Sequence, residues 1–169
     1  AWALVPRAGA LKVAQAPSLN GRVADDPAWQ SVPPLTDFWQ TAPDAGQPAS
    51  ERTEVRIAYT EDALYFGVTL FDGSAGGLTV SDSRRDSPLD DVDSFRILLD
   101  TYKDRQNGFV FATNPAALEY DGQVIGEGGM TLGGGGGGGR QQGGSGGGFN
   151  LNWDGAWRVR TAMTDGGWS

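Results

Sequence analysis

The stretch Thr53-Glu54-Val55-Arg56-Ile57-Ala58-Tyr59-Thr60-Glu61-Asp62-Ala63-Leu64-Tyr65-Phe66-Gly67-Val68-Thr69-Leu70-Phe71 decides the fold class. Val55, Ile57 and Tyr59 alternate with Glu54, Arg56 and Ala58, and a period of two sends successive side chains to opposite faces of a strand. From Ala63 the run is rich in aromatic and β-branched residues, which suit a pleated, half-buried surface. The acidic pair Glu61-Asp62 separates the two runs, so the whole reads as a β-hairpin with a tight connection.

Working outward, residues 93–102, 108–113, 118–125 and 157–163 supply at least four more strands, each bounded by Asp, Asn, Pro or Gly. Asn114-Pro115 reads as a strand end, because the residue before a proline is restricted. No segment carries a long helical period. Many short strands with polar punctuation predict an all-β chain built as an antiparallel β-sandwich or a barrel.

Upstream, Leu19-Asn20-Gly21-Arg22 contains a turn signal. Asp26-Pro27-Ala28-Trp29 has the pattern of a short helical turn, with Asp as the cap and Pro in the first position, which aims Trp29 inward. Residues 1–18 are rich in Ala and Pro and read as an extended N-terminal arm. Residues 126–148 contain Gly133–Gly139, Arg140-Gln141-Gln142 and a further glycine run. Such a segment buries too little apolar surface to offset its ordering entropy, and it reads as a long glycine-rich loop inserted between two strands. The expected organisation is therefore an arm over 1–18 and a β-sandwich domain over 19–169.

Composition limits the chemistry. The 169 residues make one domain, and a net charge of −8 argues against phosphate-rich partners such as nucleic acid. Cations and neutral ligands are the natural partners. The chain has no cysteine and no histidine, which removes disulfides, thiolate nucleophiles, the usual triads and the common transition-metal sites. Oxygen-ligated ions remain. No run approaches the roughly 18 apolar residues of a membrane helix. Ala1-Trp2-Ala3 lacks the basic and apolar regions of an intact signal peptide, as a mature exported chain or a trimmed one would.

Three constellations are candidates for function. Asp86, Asp90, Asp91 and Asp93 enter a strand within a short span and suit calcium, which takes six to eight oxygens in variable geometry. The same acids could instead pair with Arg84 and Arg85 to anchor the loop, or touch a ligand directly. Trp153 and Trp157, flanked by Asn152 and Asp154, are the best ligand contacts: indole faces stack on pyranose rings while amide and carboxylate groups bind hydroxyls. Alternation offers the competing reading that one or both are core residues. Asp100, Lys103, Asp104 and Arg105 surround a turn, where Asp104 and Arg105 could bind a sugar or, more simply, hold the turn. Trp29, Trp39 and Trp168 are expected in core or edge packing.

The order of these pieces resembles the N-terminal domain of a group of bacterial exported proteins. That domain is similar to family 9 carbohydrate-binding modules and precedes a large β-rich region of the outer-membrane type. The matching residues are Leu19-Asn20-Gly21, Asp25-Asp26-Pro27-Ala28-Trp29, Pro43 to Pro48, and Thr53 to Tyr59 with Ala63 to Phe66. Further along they are Arg84-Arg85-Asp86, Asp90 to Phe95, Leu99 to Arg105, Phe111 with Asn114-Pro115, and Tyr120-Asp121. The last are Asn152-Trp153-Asp154, Trp157 and Gly166-Gly167-Trp168. The resemblance runs from about residue 18 to the end and implies a jelly-roll or immunoglobulin-like sandwich, export to the periplasm or cell envelope, and binding without catalysis.

Two departures qualify what it implies. The pattern would continue with further strands beyond Ser169, so a fragment or processed product with an unpaired sheet edge is expected. Sugar-binding members of family 9 clamp a terminal sugar between two tryptophans, and this chain has no Trp between Trp39 and Trp153. The leading expectation is therefore a scaffold subunit that makes protein–protein contacts on a periplasmic or membrane-bound assembly. Trp2 and Leu4 of the arm, and Arg140 and Phe149 in and beside the glycine-rich loop, are the candidate partner contacts. Recognition of a terminal saccharide is the alternative.

Overall fold

A computed structural model describes residues 7–73, 84–87, 89, 92–126 and 148–169. The described residues are all-β apart from one 3-10 turn, Pro27–Trp29. Their strands are β1 (Leu11–Lys12), β2 (Thr53–Tyr59), β3 (Leu64–Phe71), β4 (Phe95–Leu99), β5 (Gly108–Thr113), β6 (Tyr120–Ile125), β7 (Gly148–Asn150), β8 (Met163–Thr164) and β9 (Gly167–Trp168). The chain divides into two compact units, one formed by Ala1–Ala75 with Ala162–Ser169 and the other by Gly76–Thr161. Each unit carries one sheet. A generic two-sheet β class, as the sequence implied, is what these strands form.

The first unit holds the five-stranded sheet, in the order β1-β2-β3-β9-β8. The expected hairpin is present: β2 and β3 pair antiparallel with Val55 opposite Val68 and Tyr59 opposite Leu64, and Thr60 N–H donates to the Ala63 carbonyl at 2.9 Å to close the turn. β1 adds a short parallel pairing to the other edge of β2. Alternation places Ala58 and Gly67 on one face, where Val23, Trp29 and Val32 form the core with Ala58 while Val13 and Tyr65 pack beside it. A Cβ at Gly67 would lie 2.8 Å from the Trp29 indole, so the missing side chain is what lets the ring settle on the sheet.

Asp26 is responsible for aiming that ring. Its Oδ1 accepts the Ala28 N–H at 2.9 Å as the cap of the turn, with Pro27 next in the chain and Trp29 buried, as the sequence predicted. On the same face Glu54 sits between two cations, paired with Arg52 and accepting from Arg56 Nη1 at 2.9 Å, while the Arg52 guanidinium also lies 5.0 Å above the Phe71 ring. Trp168 is buried on β9 opposite Leu70, the packing role expected of it.

The second unit holds β4-β5-β6-β7 as an antiparallel meander, with Ile97 opposite Phe111 and Phe111 opposite Asp121. One face supports a core of Leu89, Ala112 and Leu118, with Val92 and Tyr120 against it. Asn114 does end its strand: it is fully buried, and its Oδ1 accepts the N–H groups of Ala116 and Leu118 at 3.0 and 3.2 Å. The opposite face carries Phe109, Phe111 and Asp121.

The strand expected over 157–163 is only partly realised. Ladder pairing is confined to Met163–Thr164, with Ala162 and Ser169 exchanging backbone hydrogen bonds just beyond it. Residues 153–161 keep the alternation, with odd positions half-buried and even positions exposed, but form no ladder among the described residues. Periodicity reports which side chains face inward. It does not report whether a neighbouring strand is there to pair.

Candidate functional site

In the second unit the segment after β7 turns back over the sheet and lays Trp153 on it. The Trp153 ring lies 4.5 Å from the Phe109 ring and 5.8 Å, edge-on, from Phe111; Trp157 meets Phe111 edge-on at 5.3 Å. A Cβ at Gly155, between the two tryptophans, would fall 2.8 Å from the Trp153 indole and 3.1 Å from the Phe111 ring, so glycine is the residue that fits. Tyr102, 63% exposed, extends the aromatic row 6.3 Å beyond Phe109.

Beneath the row lies Asp121, 1% exposed. Its Oδ1 accepts Arg85 Nη2 at 2.6 Å and Trp157 Nε1 at 3.3 Å, and its Oδ2 accepts the Gly155 N–H at 2.7 Å. Arg85 also pairs with Glu119 at 3.2 Å, with Asp86 at 3.7 Å and with Asp154. Burial alone would lower the guanidinium's pKa, but Asp121, then Asp154, Asp86 and Glu119, outweigh it and hold the pKa above its ordinary value. One cation thus ties four carboxylates from three separate stretches of chain. Chemically the arrangement is a clasp that fixes the Trp153 segment to the sheet.

Asp154, read from the sequence as a ligand contact, is therefore a partner of Arg85, while exposed Asn152 donates its backbone N–H to Asn150 Oδ1 at 3.0 Å. Arg105 is exposed on the 100–107 turn in a left-handed conformation, φ 60°, as is Lys103 at 57°. Two carboxylates hold that strained turn. Asp100 accepts the N–H groups of Asp104 and Arg105 at 3.3 and 2.9 Å, and Asp104 accepts those of Gln106 and Asn107, both at 2.8 Å. The side-chain amide of Asn107, followed by the two backbone donors, holds the Asp104 carboxyl below its usual range.

Of the four acids considered for calcium, Asp86 faces Arg85, and Asp93 lies just before β4; Asp90 and Asp91 lie outside the described residues. Among the described residues no three acidic side chains converge as a metal site. Trp2, Leu4 and Arg140 also lie outside them, as does most of the glycine-rich loop. Phe149 is described: it stacks on Tyr120 at 6.2 Å, its ring seated over Gly122.

The sequence reading missed an exposed aromatic pair. Trp39, expected in core or edge packing, is 60% exposed, and Phe38 beside it is exposed as well. They stand on a hairpin over residues 36–49 in the first unit, where Trp39 bridges to Pro48. Ala49 N–H donates to Phe38 O at 2.9 Å, Gln40 N–H to Gln47 O at 2.8 Å, Gly46 N–H to Gln40 O at 2.9 Å, and Gln40 Nε2 to Pro48 O at 2.9 Å. From residue 36 to 52 only Gln40 is even half-buried. The available signal was the Phe38-Trp39 pair in a stretch with no strand period, punctuated by Pro43, Gly46 and Pro48.

Comparison with protein-family models, with curated proteins and with solved structures finds no match to this chain.

Proposed function

We propose that this chain is a non-catalytic, interaction-mediating domain that serves as a structural subunit, making protein–protein contacts on a periplasmic or membrane-bound assembly. The observation that carries the reading is the 36–49 hairpin, which is closed by its own hydrogen bonds yet leaves Phe38 and Trp39 facing solvent. An ordered backbone that presents a tryptophan without burying it is suited to complete its packing against another surface, and tryptophan is enriched among the residues that dominate interface energetics. Among the described residues, no helix is long and apolar enough to cross a membrane. The resemblance to family 9 modules of exported proteins supports the location and a jelly-roll or immunoglobulin-like arrangement of the strands.

A second reading, recognition of a terminal saccharide, is favoured by the aromatic row that ends in exposed Tyr102 beside a polar turn. Extraction from the native source in mild detergent, followed by size separation and mass spectrometry, distinguishes the two. Co-migration with a stable assembly is expected. A chain that migrates alone and binds saccharides on a glycan array would overturn the subunit reading in favour of the sugar.

A further inference from the structure

We infer that the 36–49 hairpin inserts Trp39 into an apolar pocket with a basic rim on a partner protein. This deepens the subunit reading above and rests on it. The chemistry of the partner follows from that of the hairpin. Residues 36–49 carry Asp37 and Asp44 and no Lys or Arg; just beyond, Glu51 and Arg52 offset each other. Asp37 and Asp44 are exposed on the same hairpin as exposed Trp39 and Phe38. An apolar pair on a hairpin whose charged residues are both acids is complemented by an apolar pocket edged by Lys and Arg, and like charges on an approaching surface would oppose docking.

The hairpin's own hydrogen bonds mean that little ordering remains to be done on binding, which favours affinity from a small surface. The same charges argue against the other occupants. Anionic lipid headgroups repel Asp37 and Asp44, and a second copy would bring two acidic hairpins together.

The test uses the full chain in its native source. Wild type, Trp39→Ala and Asp37→Asn/Asp44→Asn are extracted in mild detergent, and the subunit cross-linked by a photoreactive residue at position 39 is purified and titrated against each. Trp39→Ala is expected to weaken binding about tenfold or more. The Asn pair should weaken it severalfold in dilute buffer and remove most of its salt dependence, because exposed charges are screened by salt. Overlaying melting curves check that both variants fold, as exposed positions predict.

If the assembly forms but all three proteins bind alike, or nothing cross-links at position 39, the hairpin assignment fails while the subunit reading stands. If no assembly forms, both fail. Tighter binding by the Asn pair refutes the basic rim. Co-sedimentation with phosphatidylglycerol–phosphatidylethanolamine vesicles, or a concentration-dependent dimer of the pure chain, overturns the inference when Trp39→Ala abolishes it.

Discussion

The Nη2 of Arg85 stands 2.6 Å from the Oδ1 of Asp121, a carboxylate 1% exposed, across 36 positions of chain. Without that cation the carboxylate keeps, among the described residues, only neutral donors, the Gly155 N–H and Trp157 Nε1. Breaking one end of a buried pair costs roughly 3–5 kcal/mol. Arg85 is 40% exposed, so solvent screens part of that loss, and Arg85→Met should cost about 2 kcal/mol in urea unfolding. The double variant Arg85→Met/Asp121→Asn should cost less than the two single losses added, because a neutral amide strands no charge. Strict additivity would mean that the clasp does not act through charge.

Gly67 and Trp29 lock the first unit by a different physics. Adding one methyl at Gly67 sets it 2.8 Å from the indole, and overpacking of this kind costs about 1–3 kcal/mol. Gly67→Ala should therefore lower the unfolding midpoint by an amount corresponding to about 2 kcal/mol. Trp29→Phe in the same chain should recover part of the loss by vacating the clash. A neutral Gly67→Ala would show that the ring does not rest on the strand.

The parts of this fold that were legible in sequence are those whose cause is local. The β2–β3 hairpin shows in its alternation and its acidic turn, and Trp29 shows in the Asp26-Pro27 cap two residues before it. β1, β8 and β9 are two residues each, too short to display any period. The clasp was legible only in part: pairing of Asp86 with Arg85 was one of the readings of the acidic cluster and is found, but Asp154 was read as a ligand contact, and nothing in the spacing brings Arg85 to Asp154, 69 positions away. Trp39 was misread because a large apolar side chain ordinarily goes inside, a rule that runs one way only.

The 100–107 turn should respond to acid. Asp104 has its pKa lowered by donors from Asn107 and Gln106, so its contribution to the turn is complete above the ordinary carboxylate range. That contribution is lost as pH falls through the depressed folded value. The Gln106 and Asn107 backbone amide resonances should shift together in an NMR titration, with a midpoint below the usual carboxylate range. Asp104→Ala should abolish that shared transition. A midpoint at the ordinary value would mean that the hydrogen bonds do not favour the charged form.

Trp153 is the residue on which the saccharide reading would first be tested, and its packing makes it a poor probe. The ring rests on Phe109 at 4.5 Å and on Phe111 at 5.8 Å, so Trp153→Ala removes a half-buried aromatic and should cost about 3 kcal/mol. Loss of a sugar signal in that variant could be loss of the fold. Tyr102 is the discriminating position, because at 63% exposure Tyr102→Ala should change stability by no more than about 0.5 kcal/mol. A fluorescence titration with a reducing-end saccharide should leave the wild type unquenched if the chain acts as a structural subunit. Quenching that Tyr102→Ala removes, with its melting curve unchanged, would move the function to the aromatic row.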